Sequence, residues 1–209
     1  MLTLSLLILA LATAHLSVAA GSALGLVDTP DTRKHHDGAI PLTGGIAVFV
    51  AIVAATLLFG ISPFTTGTLA IAGLVFAVGV FDDVRHINPL FRLLIQYGCG
   101  VLLATWGGIA IYNVGNLLAM GDIPLLFMAI PLTALAVAGL SNAYNMIDGI
   151  DGLAGATLFL PLLVLYLLAL PARHPAADAL LVMLVPLAVF LLYNLGQNNS
   201  LMPKMFLGD

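Results

Sequence analysis

The chain contains no glutamate, one cysteine, one tryptophan and only six lysines and arginines among its 209 residues. Each scarcity removes a class of protein. Six cations against ten aspartates, a net charge of −4, cannot form the basic stripe with which a domain holds nucleic acid, so no nucleic-acid partner is expected. Cys99 alone excludes a disulfide framework, a CxxC redox pair and a multi-thiolate zinc site, and reads as a small apolar residue inside a helix. Charged residues make up 8% of the chain, where a soluble domain carries about 25%. Hydrophobic residues reach 61% and the mean hydropathy is +1.13, the composition of a membrane protein. The missing glutamate is more pointed. Glutamate is the better helix former and the usual carboxylate of a solvated helix face, so an all-aspartate set points to short carboxylates held in loops and at helix ends.

Crossing ~30 Å of hydrocarbon takes about 20 apolar residues at ~1.5 Å each. The stretches free of Asp, Lys and Arg are Met1 to Val27, Gly38 to Phe81, Leu93 to Gly121, Ile123 to Ile147, Gly152 to Ala172 and Ala179 to Pro203. The first lacks the positive n-region of a signal peptide and is longer than an h-region, so it reads as a retained span. The second is long enough for two crossings and is interrupted by the turn signal Gly60-Ile61-Ser62-Pro63. The expected fold is therefore all-α, a polytopic membrane protein with about seven transmembrane helices in one domain over residues 1–209. With seven crossings, Arg33, Lys34, Arg85, Arg92 and Lys204 fall on one side and only Arg173 on the other. By the positive-inside rule that side is cytoplasmic, the N-terminus lies outside and the C-terminus inside. Asp28, Asp31, Asp37, Asp82, Asp83, Asp148, Asp151 and Asp209 share the inner side; Asp122 and Asp178 do not. Acids carry little topogenic weight, so their clustering needs a chemical cause.

Four inner segments hold the remaining information: residues 28–45, 82–92, 142–155 and 197–209. The first carries Arg33, Lys34, His35 and His36 and ends on Gly44-Gly45 at the start of a helix. Glycine there costs helix stability and suits close approach by backbone or ligand, and free N–H groups at a helix start suit an anion. Arg33 and Lys34 by themselves also serve as plain topogenic charges. The second carries Asp82-Asp83 at the inner end of a helix. Adjacent carboxylates repel, and at a helix C-terminus they face the unfavourable end of the dipole. Such a pair can bind a divalent cation, or one member can act as a base while the other is paired. A local salt bridge to Arg85 or Arg92 is the structural alternative, and His86 reads as a solvated loop residue.

The third segment places oxygen-bearing side chains at every third residue, Asn142, Asn145, Asp148 and Asp151, with two Asp-Gly steps. On an unbroken helix a three-residue step drifts by about −60°, so Asn142 and Asp151 would point oppositely. The glycines are therefore expected to break the helix and let the oxygens converge. Oxygen donors without Cys or His partners select Mg²⁺, or Mn²⁺ as the alternative, over zinc. The fourth segment, Met202-Pro203-Lys204-Met205-Phe206-Leu207-Gly208-Asp209, says little alone.

Taken in order, these segments resemble the polyprenyl-phosphate N-acetylhexosamine-1-phosphate transferases. The matching residues are the loop from Asp28 through Arg33, Lys34, His36, Gly38 and Pro41 to Gly44-Gly45, the Asp82-Asp83 pair, the Asn142, Asn145, Asp148-Gly149, Asp151-Gly152-Leu153 signature, and Phe206-Leu207-Gly208-Asp209. The first loop is more similar to the bacterial branch that uses UDP-N-acetylglucosamine than to the lipid I branch that uses UDP-N-acetylmuramoyl-pentapeptide. The resemblance implies transfer of a sugar-1-phosphate from a UDP-N-acetylhexosamine to undecaprenyl phosphate for cell-envelope polysaccharide synthesis. It also implies Mg²⁺ as cofactor, a multi-pass place in the bacterial inner membrane, an active site on the cytoplasmic face, and room for a homodimer. In such a family Asp82 or Asp83 serves the acceptor phosphate, Asn145 and Asp209 ligate the metal, and Asp151 sits near the uracil. Arg33, Lys34, His36, Asn142 and Asp148 would complete the substrate site. The family continues past Phe-x-Gly-Asp with further helices and a histidine-rich cytoplasmic loop, so the 209-residue chain alone is expected to be truncated and to show no turnover. An ion-coupled transporter, the reading from another class, would place its acids within spans rather than at loop edges.

Overall fold

The computed structural model describes residues 1–29, 38–61, 64–85, 87–117, 119, 121–172, 174, 176–196 and 203–208. Among the described residues the apolar runs fold into seven α-helices: α1 (Leu2–Leu24), α2 (Gly44–Phe59), α3 (Thr66–Arg85), α4 (Pro89–Thr105), α5 (Ala129–Ile147), α6 (Leu153–Ala169) and α7 (Ala176–Leu195). A short 3-10 turn, Leu126–Met128, leads into α5. Among the described residues, four helices are long and apolar enough to cross a membrane: α1, α3, α7, and α5 taken with its 3-10 turn. The other three are apolar but of 10–17 residues. The chain is thus a mostly helical membrane protein. One small departure from an all-α fold is a two-residue antiparallel ladder, β1 (Val27–Asp28) with β2 (Ile40–Pro41), which closes the first inner loop in the register Val27 to Pro41 and Asp28 to Ile40.

Local chemistry sets the helix ends. Gly25 and Gly60 end α1 and α2 in the left-handed region, at φ 73° and 66°, where glycine lacks the Cβ penalty. Asn88 starts α4: its side chain accepts from the Leu90 N–H at 2.9 Å, with Pro89 preset for the first turn. The expected span Leu93 to Gly121 is corrected here, because α4 stops at Thr105. Beyond it, Gly108, Gly115 and Gly121 all take positive φ, and Tyr112 to Leu125 doubles back on itself through backbone bonds such as Leu125 N–H to the Tyr112 carbonyl at 2.8 Å. An absence of charge does not make a helix where glycine breaks it.

The chain divides into two compact units. One comprises Met1–Pro63 with Ile147–Asp209, and the other Phe64–Met146. In the first, α1, α2 and α7 pack together through Ala10, Ala14, Ala47 and the fully buried Phe190. Small residues at such contacts let helix backbones approach where lipid leaves no hydrophobic difference to exploit. In the second, α4 meets α5 at Gly100, where an added Cβ would stand 2.5 Å from the Ala134 Cα. Leu4, Leu57, Leu94 and Leu168 are exposed, as side chains facing acyl chains would be.

Candidate active site

In the first unit, three of the four inner segments meet. The fourth segment runs beside the exit of the first loop: Phe206 donates its N–H to the Pro41 carbonyl at 2.9 Å, and Leu42 and Phe206 form a parallel bridge. Gly44 N–H then donates to the Phe206 carbonyl at 2.8 Å and Gly45 N–H to the Leu207 carbonyl at 2.7 Å. These contacts correct the expectation of an anion site there. Two of the first N–H groups of α2 are already satisfied by backbone, and the glycine pair exists because that backbone comes so close. A Cβ on Gly45 would lie 3.2 Å from the Leu207 carbonyl oxygen.

The third segment joins the same assembly. As expected, its glycines break the helix: α5 ends at Ile147, α6 begins at Leu153, and Gly152 stands between them at φ 75°. Asn194, 2% exposed on α7, accepts from the Gly152 N–H at 2.5 Å and donates to the Met205 carbonyl at 3.0 Å. Lys204 forms an ion pair with Asp151, and its ammonium lies 5.6 Å from the centre of the Phe206 ring. The segment leading to Asp209 and the turn carrying Asp151 are thereby fixed to each other.

The second unit holds the aspartate pair. Asp82 and Asp83 occupy the last turn of α3, where the helix dipole disfavours them. Asp82 is 6% exposed, and both of its oxygens are engaged: Oδ1 accepts from the Ile87 N–H at 2.7 Å, and Oδ2 pairs with the Arg92 guanidinium. The salt bridge weighed as the structural alternative therefore exists, for Asp82. Asp83 is half-buried beside it. Arg92 also donates to the Asn142 Oδ1 at 3.4 Å, and the Asn142 amide donates to the Gln96 Oε1 at 2.7 Å and to the Ala138 carbonyl at 2.8 Å. Asn145 is half-buried one helical turn further along α5, and Asp148 is half-buried in the turn beyond it.

Arg33, Lys34, His36 and Asp209 lie outside the described residues, as does His86. Among the described residues no three His, Cys, Asp or Glu side chains form a group that could hold a metal ion. The donors on offer, Asn145, Asp83, Asp148 and Asp151, are all oxygens. That chemistry suits a hard cation, but the described residues alone do not complete a ligand set. Asn194 and Gln96 were missed from sequence. Their signal was visible as a side-chain amide inside an apolar run, which in a membrane helix needs a partner.

The family model for glycosyl transferase family 4 matches residues 65–209, more than half of the chain. The chain belongs to glycosyl transferase family 4. It is 33% identical over 190 residues to a protein of Bacillus subtilis strain 168 named probable undecaprenyl-phosphate N-acetylglucosaminyl 1-phosphate transferase, covering 89% of this chain and 51% of that one. It is 38% identical over 136 residues to the Escherichia coli K12 protein named undecaprenyl-phosphate alpha-N-acetylglucosaminyl 1-phosphate transferase, covering 63% of this chain and 36% of that one. A Yersinia pestis protein of the same name is 38% identical over 133 residues. The chain thus spans about half the length of the Bacillus relative and little more than a third of the others. The family 4 match contains the Asp82-Asp83 pair, the Asn142-to-Asp151 signature and the Phe206-to-Asp209 segment, and leaves the loop of residues 28–45 outside it.

Proposed function

We propose that the full-length protein transfers N-acetylglucosamine-1-phosphate from UDP-N-acetylglucosamine to undecaprenyl phosphate. A phosphate oxygen of the lipid attacks the phosphorus that carries the sugar, the bond between the donor's two phosphoryl groups breaks, and UMP leaves. The observation that carries this reading is the similarity over 89% of the chain to a relative named for that reaction. The names of the relatives favour this donor over UDP-N-acetylmuramoyl-pentapeptide.

Charge supports a divalent cation in the same reaction. A lipid phosphate meeting a diphosphate donor gathers several negative charges. Of the five cations assigned to the inner side, Arg92 is already paired with Asp82 and Lys204 with Asp151. Mg²⁺, or Mn²⁺ in its place, would supply the neutralisation, with Asn145 and Asp209 as its proposed ligands. Asp82 or Asp83 would serve the acceptor phosphate. Asp151 would face the uracil, and Asn142, Asp148, Arg33, Lys34 and His36 the rest of the donor. The proposal places all seven helices across a bacterial inner membrane, with the N-terminus outside and the site on the cytoplasmic face. A span of 17 residues reaches about 25 Å, short of the average core but tolerable with local thinning.

Full-length protein in membranes, given labelled UDP-N-acetylglucosamine, undecaprenyl phosphate and Mg²⁺, should release UMP and form a diphosphate-linked lipid. Product formed only from UDP-N-acetylmuramoyl-pentapeptide, or from neither donor, would overturn the assignment.

A further inference from the structure

We propose that Arg92 and Gln96, on one face of α4, are positioning residues that set the Asp82 carboxylate and the Asn142 amide for the reaction above; the inference rests on that reading. Residues four apart on a helix share a face, so this single face reaches the end of α3 through Arg92 and the side of α5 through both residues. Gln96 is 8% exposed in the run Leu93-Leu94-Ile95-Gln96, where a buried amide without a partner is costly. Its partner is Asn142, at 2.7 Å.

The network leaves Asn142 one way to sit. A side-chain amide has two hydrogens to donate and two lone pairs to accept. Both Nδ2 hydrogens have acceptors, Gln96 Oε1 and the Ala138 carbonyl, while Oδ1 faces the Arg92 guanidinium. Turning the amide over would set its NH₂ against a cation. Asn142 therefore presents an acceptor to anything that binds beside it, which suits a cation or an N–H or O–H group and not a phosphate oxygen. Arg92 does the equivalent for Asp82: it balances the charge of one member of a carboxylate pair and fixes its orientation, with the Ile87 N–H holding the other oxygen.

Gln96→Met and Asn142→Ala, singly and combined in the full-length protein, test the assignment. Gln96→Met should lower kcat about tenfold with KM for the UDP-sugar nearly unchanged, and should cost nothing further in the Asn142→Ala background, because Gln96 acts through Asn142. Arg92→Met should lower kcat at least about 100-fold, and Arg92→Lys, which keeps the charge beside Asp82, should recover about tenfold of that loss. The same loss for Gln96→Met on both backgrounds, a loss carried by KM, or no loss at all would overturn the proposal. If the wild type shows no transferase activity, the function reading fails by itself, and thermal unfolding of the same four proteins in detergent still decides the contact: coupled shifts in Tm support it and additive shifts overturn it.

Discussion

The ring of Phe190 lies 2.4 Å from the point where a Cβ on Gly44 would stand. α7 therefore packs onto the start of α2 because Gly44 carries no side chain there, and the Phe206 carbonyl, 2.9 Å from the same point, closes the remaining space. Gly44→Ala should destabilise the protein by about 1–3 kcal/mol, the usual cost of overpacking a tight core. Thermal unfolding in detergent measures it. An unchanged Tm would mean that α2 and α7 are not in this contact.

Asn194 is the other fixed point of that assembly, since it satisfies the Gly152 N–H and the Met205 carbonyl together. Asn194→Leu keeps the approximate volume and strands both backbone groups in a buried place, so it should cost at least about 2 kcal/mol. Limited proteolysis offers a second readout: the chain around Met205 should become susceptible in the variant and stay resistant in the wild type.

Much of this arrangement was legible in the sequence. Counting apolar runs between charges located the seven helices, Gly60 ended α2 as its turn signal required, and the Asp-Gly steps broke the chain between Ile147 and Leu153. What escaped was set by distant partners. Gly44-Gly45 read equally well as an anion cradle, and only the backbone of Phe206 and Leu207, about 160 positions away, decided otherwise. The sequence offered Arg85 or Arg92 as the partner of a salt bridge, and the placement of α4 brings Arg92 to Asp82. The end of α4 escaped because an absence of charge says nothing of Gly107 and Gly108, which disfavour a helix by about 1 kcal/mol each, Gly108 taking φ 70°.

The Lys204–Asp151 pair should behave differently from the buried contacts. Asp151 keeps 46% of its side chain exposed, so Lys204→Met should change stability by no more than about 1 kcal/mol. If Asp151 meets the uracil of the donor, Asp151→Ala should raise KM for the UDP-sugar far more than Lys204→Met does. Equal effects in steady-state kinetics would assign the carboxylate to the ion pair alone.

Oxygen donors without thiol or imidazole partners give a further expectation. Chelation of divalent ions from the full-length enzyme should abolish turnover. Mg²⁺ or Mn²⁺ should restore it and Zn²⁺ should not, since zinc prefers nitrogen and sulfur ligands. Full activity in chelator, read as UMP release, would remove the metal from the proposal.

The two aspartates of the pair should separate in their effects. Asp82→Ala takes the Asp82 carboxylate away from the part-buried Arg92 side chain, 15% exposed, and breaking a buried pair from one side costs up to about 3–5 kcal/mol. Turnover and Tm should therefore fall together. For Asp83→Ala, a group placed to serve the acceptor phosphate predicts a loss in kcat of at least about 100-fold, in line with general-base and electrostatic contributions. Restoring the charge balance around Asp82 should recover the stability lost with it. Asp82→Asn combined with Arg92→Gln should regain the Tm that Asp82→Ala loses. Near-normal rates for both Asp82→Ala and Asp83→Ala would take the pair out of the chemistry and leave it as the structural end of α3.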